Sequence, residues 1–322
     1  MPDHEVVDPR FASLVIGHAR LERLWTGSRW AEGPVYVPAG RYLLFSDIPN
    51  DRVLRFDETD GSVSTFDSRC GYQNGHTLDL QGRVVACEHG SRCVTRVEHD
   101  GSRSVIADRF DGKRLNSPND VVVKSDGSVW FTDPTYGIDS SYEGHAAPTE
   151  IGACNVYRAG ADGTDLRAVV TDMVRPNGLA FSPDERLLYV ADTGATHVSG
   201  MPATIRAYDV CADGRAVENG RVFAVCDAGL FDGFRVDWKG NLWTSSADAV
   251  RCYAPDGTLI GRIPVPELVS NLCFGGRNLN RLYITAQTSL YSIFLNTHAA
   301  GHARRGHEVS HHGKRDLHDQ PT

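Results

Sequence analysis

Six stretches of this chain begin with an acidic or amide residue, run through a short alternating strand, turn, and enter a second, more apolar strand. They start at Glu32 (EGPVYVPAGRYLLFSD), Asn74 (NGHTLDLQGRVVACEH), Asn119 (NDVVVKSDGSVWFTD), Asn177 (NGLAFSPDERLLYVAD), Asp232 (DGFRVDWKGNLWTSS) and Asn271 (NLCFGGRNLNRLYITA). Successive starts lie about 40 to 58 residues apart, the spacing of stacked units that bury their apolar faces against one another. Between them run further strand-like stretches such as RVEHDGSRSVIA and RCYAPDGTLIGRIPV, broken by Asp-Gly turns that reverse a strand tightly. Two strands plus such a hairpin make a four-stranded blade, so the expected fold is all-β, a six-bladed β-propeller. The last unit supplies only three strands (NLCF, RLYITA, SLYSIFL), while LERLWTGSRW near the N-terminus is a strand without a blade. That N-terminal strand is expected to complete the last blade and close the ring. The organisation expected is an arm over 1–20, the propeller over 21–297, and a polar, histidine-rich tail over 298–322 that reads as disordered.

Composition narrows the function classes. A formal net charge of −8 speaks against a nucleic-acid partner, which wants a basic face. No apolar run approaches a membrane span, so no membrane partner is expected. The first twenty residues lack a basic start, an apolar centre and a small-residue cleavage site, which makes a cytoplasmic setting the expectation. The eight cysteines are scattered without a C-x-x-C pair, so neither a disulfide framework nor a structural zinc site is signalled. The tail contains His307-Glu308-Val309-Ser310-His311, a literal zinc-protease pattern. That pattern works on a helix with a buried apolar face; flanked by Gly306 and Gly313, it reads as a chance match.

The first strand of a propeller blade lines the central channel, so Glu32, Asn74, Asn119, Asn177, Asp232 and Asn271 should converge on one axis. Carboxylate and amide oxygens without thiol or imidazole suit calcium or magnesium. The two carboxylates, Glu32 and Asp232, balance the charge of a divalent ion, and Asn side chains complete a shell without adding repulsion. Asn and Asp also begin strands because they cap turns through their own backbone, a reading as good as a site role for Asn74 and Asn271. It fits Glu32 poorly, because Glu is not a turn residue and here precedes Gly33-Pro34.

The runs Ala31-Glu32-Gly33-Pro34-Val35, FSDIPNDRVLRFD, LNSPNDVVVKSDGSVWFTDPTYGI, RPNGLAFSPDERLLYVAD and DGFRVDWKGNLW resemble the gluconolactonase, senescence-marker-protein (regucalcin) and luciferin-regenerating-enzyme family. The resemblance covers about Leu21 to Asn296 and looks closer to the bacterial gluconolactonases than to regucalcin. It implies a six-bladed propeller with one divalent cation, calcium, ligated by Glu32, Asn119, Asn177 and Asp232. Magnesium, manganese and zinc support related sites. In several members the residue matching Asp232 is proposed as the catalytic base. Regucalcin-type members carry Arg two positions before the channel Asn of the third blade; Ser117 stands there in this chain, so contacts made through that Arg do not carry over.

The activity implied is hydrolysis of a small sugar lactone, an aldonolactone, to its aldonic acid. A cation polarises the carbonyl and supports the oxyanion. No G-x-S-x-G elbow is present, which removes the usual serine-esterase route. Asp232 is then the expected base, or else a direct nucleophile. Asn74, His76 and Tyr136 are the expected substrate contacts: His76 lies two residues after Asn74 and so on the same face of the pleat. Tyr136 lies in a long loop after Asp133, where lids are often found. Asp133 and Asp192 are expected to cap turns or support ligands. Two other activities fit the resemblance, phosphotriester hydrolysis of the diisopropylfluorophosphatase type and non-catalytic calcium binding. An Asp232→Ala change separates the enzymatic readings from the last.

Overall fold

The computed structural model describes residues 3–300 and builds them into six small antiparallel sheets, one per repeat, and a two-stranded ribbon of Arg109–Phe110 with Lys113–Arg114. The inner strands are Ala31–Val37, Gln73–Leu78, Val121–Val123, Pro176–Phe181, Phe234–Val236 and Val269–Gly275. Each touches the next in that order, and the last returns to the first, so the blades form a closed six-bladed ring. The second strands, such as Val129–Asp133 (VWFTD) and Leu187–Asp192 (LLYVAD), are buried almost throughout. They are apolar on both faces because each is clamped between neighbouring blades. Val85, Val94, Phe131 and Tyr157 illustrate this, filling one core cluster from two successive blades.

Closure follows the expectation. Glu22–Thr26 pairs antiparallel with Ser289–Phe294 and supplies the outermost strand of the sixth blade. Without it that blade would be one strand short, and the two ends of the propeller would not be tied together in one sheet.

The N-terminal segment does more than lead into this strand. Glu5–Val6 pairs with Arg262 and Gly261, adding a fifth strand to blade five. Phe11 is fully buried, with its ring 5.6 Å from that of Trp243. It occupies the space over Gly261, where a Cβ would lie 2.2 Å from the Phe11 ring. At the other end, His298 and Ala300 still bond to blade five, through Trp238 N to His298 O at 3.0 Å and Ala300 N to Val236 O at 3.1 Å. His307 and His311 lie outside the described residues. All eight cysteines are free thiols, and among the described residues no helix is long and apolar enough to cross a membrane.

Candidate functional site

One device, shared by blades one, three and four, brings their channel-facing side chains to one mouth. The second strand ends on a carboxylate that accepts backbone N–H bonds from residues two or three positions ahead of the channel residue. Asp47 accepts from Arg29 at 2.8 Å, ahead of Glu32. Asp133 accepts from Asn116 and Ser117, both at 2.8 Å, ahead of Asn119. Asp192 accepts from Arg175 at 2.9 Å and Val174 at 3.1 Å, ahead of Asn177. In blade five a hydroxyl takes this place: Ser245 Oγ accepts from the Asp232 N–H at 2.8 Å.

The glycine that follows most channel residues has a packing reason. A Cβ on Gly33 would lie 1.8 Å from Asn74 O, one on Gly75 2.6 Å from Asn119 O, and one on Gly178 2.1 Å from Asp232 O. A Cβ on Gly233 would lie 1.9 Å from Asn271 Cγ. Each inner strand thus approaches its neighbour at the channel residue itself, and only a residue without a side chain lets the next ligand candidate in.

At this mouth a cavity of about 330 Å³ is lined by Glu32, Asn74, Asn119, Asn177 and Asp232, with Tyr136 above them. Glu32 is buried; its Oε2 accepts from Gly33 N at 2.6 Å and from Asn271 Nδ2 at 3.0 Å, and its Oε1 has no partner among the described residues. The Asn177 amide lies beside the Asp232 carboxyl and partly offsets the upward pull of burial on it. The Asn119 side chain has no hydrogen-bond partner among the described residues and is buried. Loss of hydration holds the Glu32 and Asp232 carboxyls well above the usual carboxylate range, and for Asp232 the negative charge of Glu32 adds to it. Two dehydrated carboxylates with amide side chains beside them and no cationic side chain in the lining are a donor set that fits a hard divalent cation. Asn271 stands behind this set as a donor to Glu32.

The cavity has two kinds of wall. Trp30, Ile48, Leu230 and Leu268 make one side apolar, while Asn74, Thr193 and Thr196 make the other polar. The Tyr136 hydroxyl is held by Thr193 Oγ1 at 2.6 Å and Thr196 Oγ1 at 3.0 Å, which fixes its ring over the polar side. Asn74 Nδ2 donates to His89 Nε2 at 3.2 Å, and His89 Nδ1 donates to the Glu143 carbonyl at 3.2 Å. Glu143, His89 and the apolar wall were not legible as site residues. The loop sequence around Glu143 has no periodicity to mark it, and nothing in their spacing sets Trp30 or Leu230 apart from other hydrophobes.

His76 does not line the cavity. It is buried, with Nδ1 2.7 Å from the Gly33 carbonyl and Nε2 3.1 Å from the Gln73 side-chain amide. The pairing of its strand is irregular between Gln73 and His76, which breaks the two-residue alternation that would have put it beside Asn74. Its place is structural, tying blade two to blade one. Burial pulls His76 and His89 down to about 4 from an ordinary 6.5, so both are neutral in the folded protein at neutral pH. Unfolding frees them to bind protons below 6.5, so stability is lost as pH falls from 6.5 towards 4, by roughly 3 kcal/mol per imidazole. Melting curves across that range should show a slope that His76→Gln reduces; an unchanged slope in the variant contradicts the assignment.

Comparison with known proteins identifies the family. Residues 30–288 match the family described as the SMP-30/gluconolactonase/LRE-like region. The gluconolactonase of Zymomonas mobilis is 31% identical over 90% of this chain and 85% of its own length. The pentonolactonase of Haloferax volcanii is 30% identical over 81% of this chain and 82% of its own. Among solved structures, a gluconolactonase from Xanthomonas campestris superposes with a TM-score of 0.84 at 40% identity, covering 91% of this chain and 96% of that one. The matched region runs from Trp30, just ahead of the first channel residue, to Thr288 in the sixth blade, and the chain belongs to the SMP-30/gluconolactonase/LRE-like family.

Proposed function

We propose that this chain hydrolyses an aldonolactone to the aldonic acid, holding a divalent cation, calcium, with Glu32, Asn119, Asn177 and Asp232, and using Asp232 as general base. The observation that carries this is the pair of dehydrated carboxylates set among amide side chains at the bottom of a cavity with one apolar and one polar wall. When bound, the cation polarises the lactone carbonyl and stabilises the negative charge that develops on its oxygen.

The chain's own groups do the rest. The apolar side formed by Trp30, Leu230 and Leu268 covers a ring face, while Asn74, whose amide N–H is engaged by His89, turns its oxygen to ring hydroxyls. Tyr136 closes over the polar side from its threonine supports. Asp232, with its backbone fixed by Ser245 and its carboxylate oriented by Asn177, takes a proton from the water that attacks the carbonyl carbon. As the ring C–O bond breaks, that proton returns to the departing ring oxygen, and the open-chain acid is left.

The test is a pH-drop assay over a panel of aldonolactones and one fluorophosphate, after chelation and add-back of each cation in turn. Turnover of aldonolactones that chelation abolishes and calcium restores is the expected result. Fast fluorophosphate hydrolysis with negligible lactone turnover would reverse the choice of substrate, and full activity after chelation would remove the cation from it.

A further inference from the structure

A third carboxylate faces the cavity, that of Glu143, and no lining residue is Lys, Arg or His. Glu143 comes from the long loop that follows Asp133, and this loop is firmly seated. Ser117 Oγ donates to the Pro134 carbonyl at 2.7 Å and accepts from Gly137 N at 3.0 Å. Gly137 sits so close that a Cβ there would lie 2.4 Å from His89 Cβ and 2.8 Å from Ser117 Cβ, so a longer side chain at position 117 would displace it. Gly144 presses on Gly137 in turn, where a Cβ would lie 2.2 Å from the Gly137 carbonyl oxygen. The His89 ring holds the Glu143 backbone itself.

The Glu143 side chain, by contrast, is engaged by nothing. It has no hydrogen-bond or ion-pair partner among the described residues. Nor does it join Glu32 and Asp232 in a group close enough to share one ion, since no cluster of three acidic, His or Cys side chains with that geometry exists among the described residues. A half-buried carboxylate fixed at a cavity by its backbone and left unpaired there has only solvent or substrate to meet.

We propose that Glu143 is the charge selector of the site, admitting neutral polyhydroxylated lactones and rejecting those that carry a phosphate or sulfonate. The inference rests on the lactonase reading above. A divalent cation offsets Glu32 and Asp232 and leaves Glu143 uncompensated; burial raises the Glu143 carboxyl to about 7, so above that pH the cavity keeps a net negative charge. Hydroxyls of a neutral lactone donate to Glu143. An anionic substituent meets a like charge in a cavity of low polarity, and no lining cation answers it. The Arg235 guanidinium on the inner strand of blade five is committed to Asp120 at 3.4 Å.

The experiment compares kcat/KM for glucono-1,5-lactone and its 6-phosphate in wild type, Glu143→Gln and Glu143→Lys, with calcium titrations of all three by calorimetry. Wild type should favour the neutral lactone, and Glu143→Gln should narrow that preference by about tenfold, the effect of removing one like charge at close range. Glu143→Lys should narrow it further. Calcium affinity of Glu143→Gln should stay within about threefold of wild type, because the ligands are elsewhere. An unchanged preference in both variants overturns the selector role while leaving the lactonase reading intact. Collapse of calcium binding in Glu143→Gln also overturns it, by making Glu143 a ligand. Absence of turnover of either lactone by calcium-loaded wild type defeats the lactonase reading itself, and this inference with it.

Discussion

Replacing Asp232 with Ala should lower lactone turnover by roughly a thousandfold or more while leaving the propeller folded. The carboxylate is asked to do two things, to complete the cation's oxygen shell and to take the proton from water, and Ala does neither. Stability should move the other way. In the cation-free protein Asp232 is a buried carboxyl beside a second one, so its removal relieves first the cost of that burial and then the unfavourable proximity to Glu32. The variant should therefore melt no lower than wild type under chelation, the signature of a group kept for function at a cost in stability. Circular dichroism and melting curves in chelator, beside initial rates with calcium, decide it. Residual activity near wild type would exclude Asp232 from the chemistry. Single turnover in labelled water separates its two possible roles: label in the product carboxylate alone fits the base, whereas label appearing in Asp232 marks it as the nucleophile.

Glu32→Gln is expected to have the next largest effect, and on binding before chemistry. The substitution keeps the side chain's shape and an oxygen but halves the negative charge of the ligand set, from two carboxylates to one. Calcium affinity should fall by about a hundredfold, with activity falling alongside at limiting calcium and recovering in part at high calcium. The thermal shift produced by calcium reads the same loss without any substrate. A ligand at a hundred times its dissociation constant stabilises the fold by about 2.7 kcal/mol, so at equal calcium the variant should show a much smaller rise in Tm. An unaltered thermal shift would mean that Glu32 does not hold the ion. Its bonds to Gly33 and Asn271 would then be its whole role.

The ring itself was written in the chain. The repeated start of each unit, the alternation of the inner strands and the Asp-Gly turns are local patterns, and a closed propeller is their consistent solution. The lone strand at Glu22–Thr26 could be placed because the sixth unit was one strand short. The channel residues were legible for the same reason: a repeat marks equivalent positions, and equivalent positions in a ring face one axis. Even the glycine after each of Glu32, Asn74, Asn177 and Asp232 belongs to this pattern, since neighbouring inner strands approach at that point.

What the repeat does not encode was decided by the tertiary structure. His76 was expected at the cavity because strands alternate, but the irregular pairing at Gln73–His76 turned it into the wall between blades. Phe11 looked like part of a loose arm, yet it is buried over Gly261, a contact some 250 residues away along the chain. The apolar side of the cavity is assembled from Trp30, Leu230 and Leu268 across three blades, none of them marked by spacing. Glu143 belongs to a segment whose course is set by Ser117, His89 and two close-packed glycines rather than by any period. Local periodicity therefore fixes which side chains reach the axis and where a cation fits. The shape and charge above that floor arise from loops, whose positions depend on what they pack against once the ring has closed.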